Sequence, residues 1–229
     1  MARRKKSNKK ADETLVDIIE VRDNAQNFFE RNQTLVFGVL TAAVLLVGGI
    51  FAYNNFYKAP QAEEAVEQMM QAQYQFERDS FALALTNPGG GALGFLDIIE
   101  SYGGTPSGNI AKYYAGVSYL NIGEYEAAID LLNGFSPSGD ITPIMKNGVL
   151  GDAYSELGDY DEAFRYYQKA VNAGDNEVLT TYYLKKLGLL HERNGEFAEA
   201  KEAYERIKNE FPTTTEGAQI DKYISRVTQ

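Results

Sequence analysis

The chain has 229 residues, 44% of them hydrophobic, and a formal net charge of -10. It contains no cysteine, which excludes disulfides, thiolate catalysis and cysteine metal sites. The acid excess sits outside the N-terminal segment, and it makes nucleic acid an unfavourable partner for the bulk of the chain.

The first 33 residues carry eight basic and six acidic side chains, net +2, which leaves -12 for the remainder. Met1 to Ala11 reads as a charged tail with too little apolar surface to fold. From Leu15 to Arg31, apolar Leu15, Ile18, Ile19, Ala25, Phe28 and Phe29 recur at helical spacing. Such a stripe either lies on a membrane surface or extends the helix that follows. Residues 1–33 are therefore read as one segment, a tail with an amphipathic helix.

Residues 34–57 form the second segment. Between Arg31 and Lys58 no residue is charged, and Leu35 to Tyr53 is almost wholly apolar. Nineteen helical residues rise about 29 Å, close to a hydrocarbon core of roughly 30 Å. The stretch begins too far from Met1 for a cleaved signal peptide and no small-x-small site follows, so it reads as an uncleaved anchor crossing once. Upstream lie Arg3, Arg4, Lys5, Lys6, Lys9, Lys10, Arg22 and Arg31, whereas Lys58 stands alone until Arg78. This asymmetry places the N-terminus in the cytoplasm and the C-terminal domain outside the inner membrane. Phe28 and Phe29 before the span, and Tyr53, Phe56 and Tyr57 after it, sit where interfacial aromatics belong.

Residues 58–108 begin with Gln61 to Leu85, rich in Ala, Glu, Gln and Met and free of breakers, which predicts one long helix. Asn87 to Gly91 ends it, and Leu93 to Tyr102 predicts a short helix stopped by Gly103 and Gly104. The pair makes a degenerate leading hairpin.

Residues 109–211 repeat. Gly116, Tyr119, Gly123, Tyr125 and Ala128 recur as Gly151, Tyr154, Gly158, Tyr160 and Ala163, then as Gly188, His191, Gly195, Phe197 and Ala200. The period of 35 and then 37 residues is that of a tetratricopeptide array. Gly116 with Ala128, Gly151 with Ala163 and Gly188 with Ala200 let two helices pack closely, and the glycine between ends the first helix in a left-handed cap. The repeats run from Asn109 to Phe135, Ile144 to Ala173 and Thr181 to Phe211. Residues 212–229 follow Pro212, with Glu216 to Val227 as a capping helix. The expected fold is all-α: one N-terminal transmembrane helix, then a helix-hairpin solenoid.

Reactive constellations are missing from the sequence. His191, the single histidine, occupies the packing position of Tyr119 and Tyr154. Gly89 to Gly91 are followed by no Gly-Lys-Ser/Thr, so they form no phosphate cradle. Asp159, Asp161 and Glu162 mark a helix start rather than a cation cluster. Most tyrosines and phenylalanines, including Tyr125, Tyr160, Tyr167, Phe197 and Tyr204, are read as core. No catalytic residue, metal, cofactor or small-molecule substrate is implied, and arrays of this kind bind proteins.

The concave face lined by the first helix of each repeat is the candidate binding surface. Its inward positions are Tyr113, Val117, Leu120 and Asn121, then Asp152, Ser155 and Glu156, then Tyr182, Lys185, Leu189, Glu192 and Arg193. This mixture suits a peptide held by apolar anchors with polar contacts fixing its register. The segment Gln61 to Leu85 is an alternative occupant of part of the groove.

The order of parts resembles the YfgM-like ancillary subunits of the bacterial Sec translocon. The likeness rests on Phe28 to Asn32 (Phe-Phe-Glu-Arg-Asn), the uncleaved Gly-containing anchor, the aromatics after it and the repeat domain. Leu93 to Ile99 before Ala111 to Gly116 is similar to the Bacteroidetes-type form. The resemblance implies a periplasmic adaptor that joins translocon subunits to a membrane-anchored peptidyl-prolyl isomerase and assists emerging proteins. A scaffold for cell-wall synthesis or outer-membrane assembly would need the same anchor and array.

Overall fold

The computed structural model describes residues 22, 24 and 26–228, and every regular element among them is helical. Expectations for Met1 to Ala11 and for Leu15, Ile18, Ile19 and Ala25 fall outside the described residues. The chain divides into two units, residues 1–59 and 60–229.

In the first unit, α1 spans Gln33–Tyr53 and buries none of its 21 residues. It is long and apolar enough to cross a membrane. Rings cluster at both of its ends: Phe29 meets Phe37 edge-on at 5.9 Å, and Tyr53 stacks on Tyr57 at 5.3 Å. Lys58 Nζ lies 5.7 Å from the Tyr53 ring. Asn54–Lys58 widens into a π-helical turn, which the sequence reading did not anticipate.

The second unit opens with α2 (Ala59–Glu77), α3 (Phe81–Thr86) and α4 (Phe95–Tyr102). The single helix expected from Gln61 to Leu85 is broken at Asp79, whose φ is 57°. Ser80 N–H donates to Gln75 O and Asp79 N–H to Phe76 O, the paired closure of a left-handed helix end. Aspartate is among the few non-glycine residues that tolerate this conformation, so no glycine betrays the break. Met69, Ala72, Ala84, Leu85, Phe95 and Ile98 then form one core with Ala111 and Ala115 of the first hairpin.

Three hairpins follow: α5 (Pro106–Asn121) with α6 (Tyr125–Gly134), α7 (Thr142–Leu157) with α8 (Tyr160–Val171), and α9 (Glu177–Arg193) with α10 (Phe197–Glu210). Each first helix starts two to four residues earlier than expected. Thr105 Oγ1 accepts from Gly108 N–H ahead of Pro106, and Asn176 Oδ1 accepts from Leu179 N–H. Gly123, Gly158 and Gly195 stand at φ 85°, 81° and 78°, with the same paired closure as Asp79. The expected left-handed caps are therefore present in all three repeats.

Each of Gly116, Gly151 and Gly188 lies beneath a side chain of the second helix of its hairpin. Ala128, Ala163 and Ala200 are fully buried, but the space above each glycine is filled by the residue four positions after its alanine: Leu132, Tyr167 and Tyr204. A Cβ on Gly151 would sit 2.5 Å from the Tyr167 ring. Gly148, on another face of α7, is covered by Tyr183 of the next repeat. Tyr167 and Tyr204 are thus core, whereas Phe197, expected there too, is 55% exposed.

The capping helix is split. Two short pieces, α11 (Thr215–Gln219) and α12 (Asp221–Val227), meet at Ile220, which is 1% exposed and pins the turn to the core beside α10.

Candidate partner-binding face

The first helices α5, α7 and α9 bring Leu120, Asn121, Asp152, Ser155, Glu156, Leu189 and Arg193 into one open cleft. Tyr125, Tyr167, Lys186 and Leu190 complete its lining. Seven of the twelve inward positions named from the sequence therefore share a surface. No residue of α2 or α3 lines it, so the segment expected as an alternative occupant packs instead on the first hairpin.

At the centre of the cleft, Asp152 Oδ1 accepts from Tyr167 hydroxyl at 2.7 Å and from Lys186 Nζ at 2.6 Å. Burial opposes the charge on Lys186, but the Asp152 carboxylate and the Tyr182 hydroxyl outweigh it and hold the ammonium above its ordinary value. Burial, followed by the field of Asp152, pushes the phenols of Tyr167 and Tyr183 well up. Tyr113 is pushed up to about 12 by burial, then by Tyr114 and Asp152. The tyrosines stay neutral and Lys186 stays charged, which gives the cleft a fixed polar floor.

Two expected groove residues are engaged elsewhere. Lys185 Nζ lies 5.3 Å from the Tyr223 ring of α12, and Glu192 accepts from Tyr204 hydroxyl and Arg226, each at 2.7 Å. Both face the C-terminal cap because each helical position turns about 100°, so Lys186 rather than Lys185 points at Asp152. Lys186 was missed; it stands 34 residues from Asp152, three positions, or about one helical turn, before Leu189, the repeat equivalent of Asp152. Tyr113 and Val117 pack against the core that Ile129 and Leu132 share with Val149, Leu150 and Ala153, and Tyr113 faces Phe135 at 5.5 Å between ring centres. Tyr182 is 42% exposed, edge-on to Tyr183, with Lys186 Nζ 4.8 Å from its ring. Asn121 turns back to Val117 O, and Arg193 lies 4.1 Å over the Tyr160 ring. Glu156 and Leu189 are exposed toward the opening.

His191 packs at 4.5 Å from the Phe164 ring and its Nδ1 is 2.7 Å from Glu196 Oε2. Among the described residues no three His, Asp or Glu converge on a metal-sized site. Asp159 Oδ1 accepts from Glu162 N–H, the role expected of a helix start.

A family model described as "Tetratricopeptide repeat" matches residues 142–207, the second and third hairpins. No curated protein matches the sequence. Among solved structures, the nearly identical TPR-like repeats of a Podosopora anserina putative kinesin light chain superpose with TM-score 0.58. They are 15% identical, over 73% of this chain and 87% of that one. A MamA protein superposes with TM-score 0.52 and 20% identity, over 72% of this chain and 87% of that one. At such identities the likeness is one of fold. With the glycine-closed hairpins, it makes residues 106–210 a TPR-like helix-hairpin solenoid, of which residues 142–207 match the tetratricopeptide repeat model.

Proposed function

We propose that the chain is a single-span inner-membrane adaptor whose array faces the periplasm and holds partners of the Sec translocon. On this reading α1 is the anchor, the basic residues before it stay in the cytoplasm, and the array receives translocon subunits, a membrane-anchored peptidyl-prolyl isomerase and emerging chains. The observation that carries the adaptor reading is the open cleft between α5, α7 and α9, with Glu156 and Leu189 uncommitted on a floor fixed by Asp152 and Lys186. The imbalance of eight basic residues before α1 against Lys58 after it supports the orientation, and the order of parts supports the translocon.

Affinity capture of the full chain from mild detergent, with partners identified by mass spectrometry, tests the reading. Recovery of translocon subunits and a peptidyl-prolyl isomerase is expected. Recovery of cell-wall synthases or barrel-assembly components instead would assign the array to another envelope machine. A reporter active only in the periplasm, fused after Gln229, is expected to be active; a silent one would overturn the orientation.

A further inference from the structure

Helix α2 has two apolar faces, and the fold uses one. Ala65, Met69 and Ala72 are buried and Phe76 packs beside them on Phe95 and Tyr114. On the other side Val66, Met70 and Tyr74, four residues apart, are 58%, 61% and 51% exposed. At about 100° per residue they share an arc of about 80°, centred about 130° away from the buried set. The charged residues along that arc are Glu63, Glu67 and Glu77, all exposed. Glu64 is turned toward Tyr102, and Arg78 is occupied with the hydroxyl and ring of Tyr74.

We propose that this face of α2 docks an amphipathic helix of another protein whose apolar stripe is flanked by lysine or arginine. Charge complementarity selects the occupant. A second copy of the chain would set the same three glutamates against each other, and anionic lipid headgroups would be repelled by them. The three apolar side chains recur once per turn, the pattern that accepts helical anchors at similar intervals. Methionine adapts its shape to such anchors, and Met70 with Gln73 and Tyr74 frames a shallow cleft for one of them. The site is independent of the concave cleft, because no residue of α2 lines that cleft.

The test uses the full chain in neutral-lipid nanodiscs and two fluorescent helical peptides with the same leucine stripe, one flanked by lysines and one by glutamates. Anisotropy is expected to show the lysine peptide binding at least about tenfold tighter. Met70→Ser with Tyr74→Ser should weaken it about tenfold without altering the circular dichroism, since both side chains lie outside the core. Reversing Glu63, Glu67 and Glu77 to Lys should transfer the preference to the glutamate peptide. Equal binding of the two peptides, an unaffected serine variant, or a reversal without transfer would overturn the proposal. So would efficient cross-linking between two copies carrying Met70→Cys, which gives the face to a second copy. Binding that disappears in a Leu189→Ala, Arg193→Ala variant would move the site to the concave cleft and overturn it as well.

Discussion

Lys186 on α9 reaches across a repeat boundary to within 2.6 Å of Asp152 on α7, and the two residues stand 34 positions apart. Arg226 and Glu192 repeat the relationship at the next boundary, again 34 positions apart and at 2.7 Å. In both cases a tyrosine from the carboxylate's own hairpin, Tyr167 or Tyr204, donates to the same carboxylate. Each carboxylate thus ties the second helix of its hairpin to an element beyond it, α9 in one case and α12 in the other, through one polar joint.

Breaking this joint from one side should cost more than removing it whole. Lys186→Met leaves Asp152 half-buried with one donor, a loss of about 1–3 kcal/mol, and Asp152→Asn should fall in the same range. The double variant should be less destabilised than either single variant. Urea unfolding of residues 60–229 and the three variants measures the coupling, and strict additivity would mean that the pair acts as two unlinked surface charges.

Alkaline pH should loosen the array through its buried phenols. Tyr113, Tyr167, Tyr183 and Tyr204 all lie above the ordinary 10.0, so the folded chain holds their protons more tightly than the unfolded chain does. Stability is then intact below pH 10.0 and declines as pH rises toward and past about 12, the value for Tyr113. The slope is about 1.4 kcal/mol per pH unit for each tyrosine. Tyr167→Phe should remove one such increment from the slope, and a variant that declines as steeply as the parent would refute the assignment.

The two kinds of glycine should respond differently to one added methyl. Gly151→Ala drives a Cβ into the Tyr167 ring and should cost about 1–3 kcal/mol. Gly139 stands at φ 71° with open space around it, so Gly139→Ala meets only backbone strain, of about 1 kcal/mol. Thermal melting of the pair ranks them, and a reversed order would contradict the close approach at Gly151.

Partner capture should follow the open wall of the cleft and not its floor. Replacing Glu156 and Leu189 by Ala should lower recovery of the captured partner several-fold with an unchanged melting temperature, because neither side chain is buried. A variant of Lys185 and Glu192, which face α12, should instead change stability. Equal capture by the Glu156 and Leu189 variant would place recognition elsewhere.

Much of the architecture was legible because the repeat carries its own punctuation. Gly123, Gly158 and Gly195 mark helix ends that glycine reaches most cheaply, and Leu35 to Tyr53 shows itself as one long apolar helix by lacking charge. The break at Asp79 was hidden because aspartate adopts the same conformation without changing the helical pattern around it. The cleft was legible to within one helical position: Lys185 and Lys186 are adjacent cations, and only the rotation of α9 against α7 decides which of them meets Asp152. That rotation is set by Tyr183 seated on Gly148, a contact between repeats that no local pattern encodes.

The seat at Gly148 also bears on the order in which the chain matures. Helix α7 carries Gly148 and Gly151, both poor helix formers, and each is roofed by a ring from a different hairpin. Tyr167 arrives with its own repeat, but Tyr183 lies a further helix along. In a chain that emerges N-terminus first, the middle hairpin stays unroofed on one side until α9 has cleared the exit. The full packing of α7 therefore waits on the third hairpin.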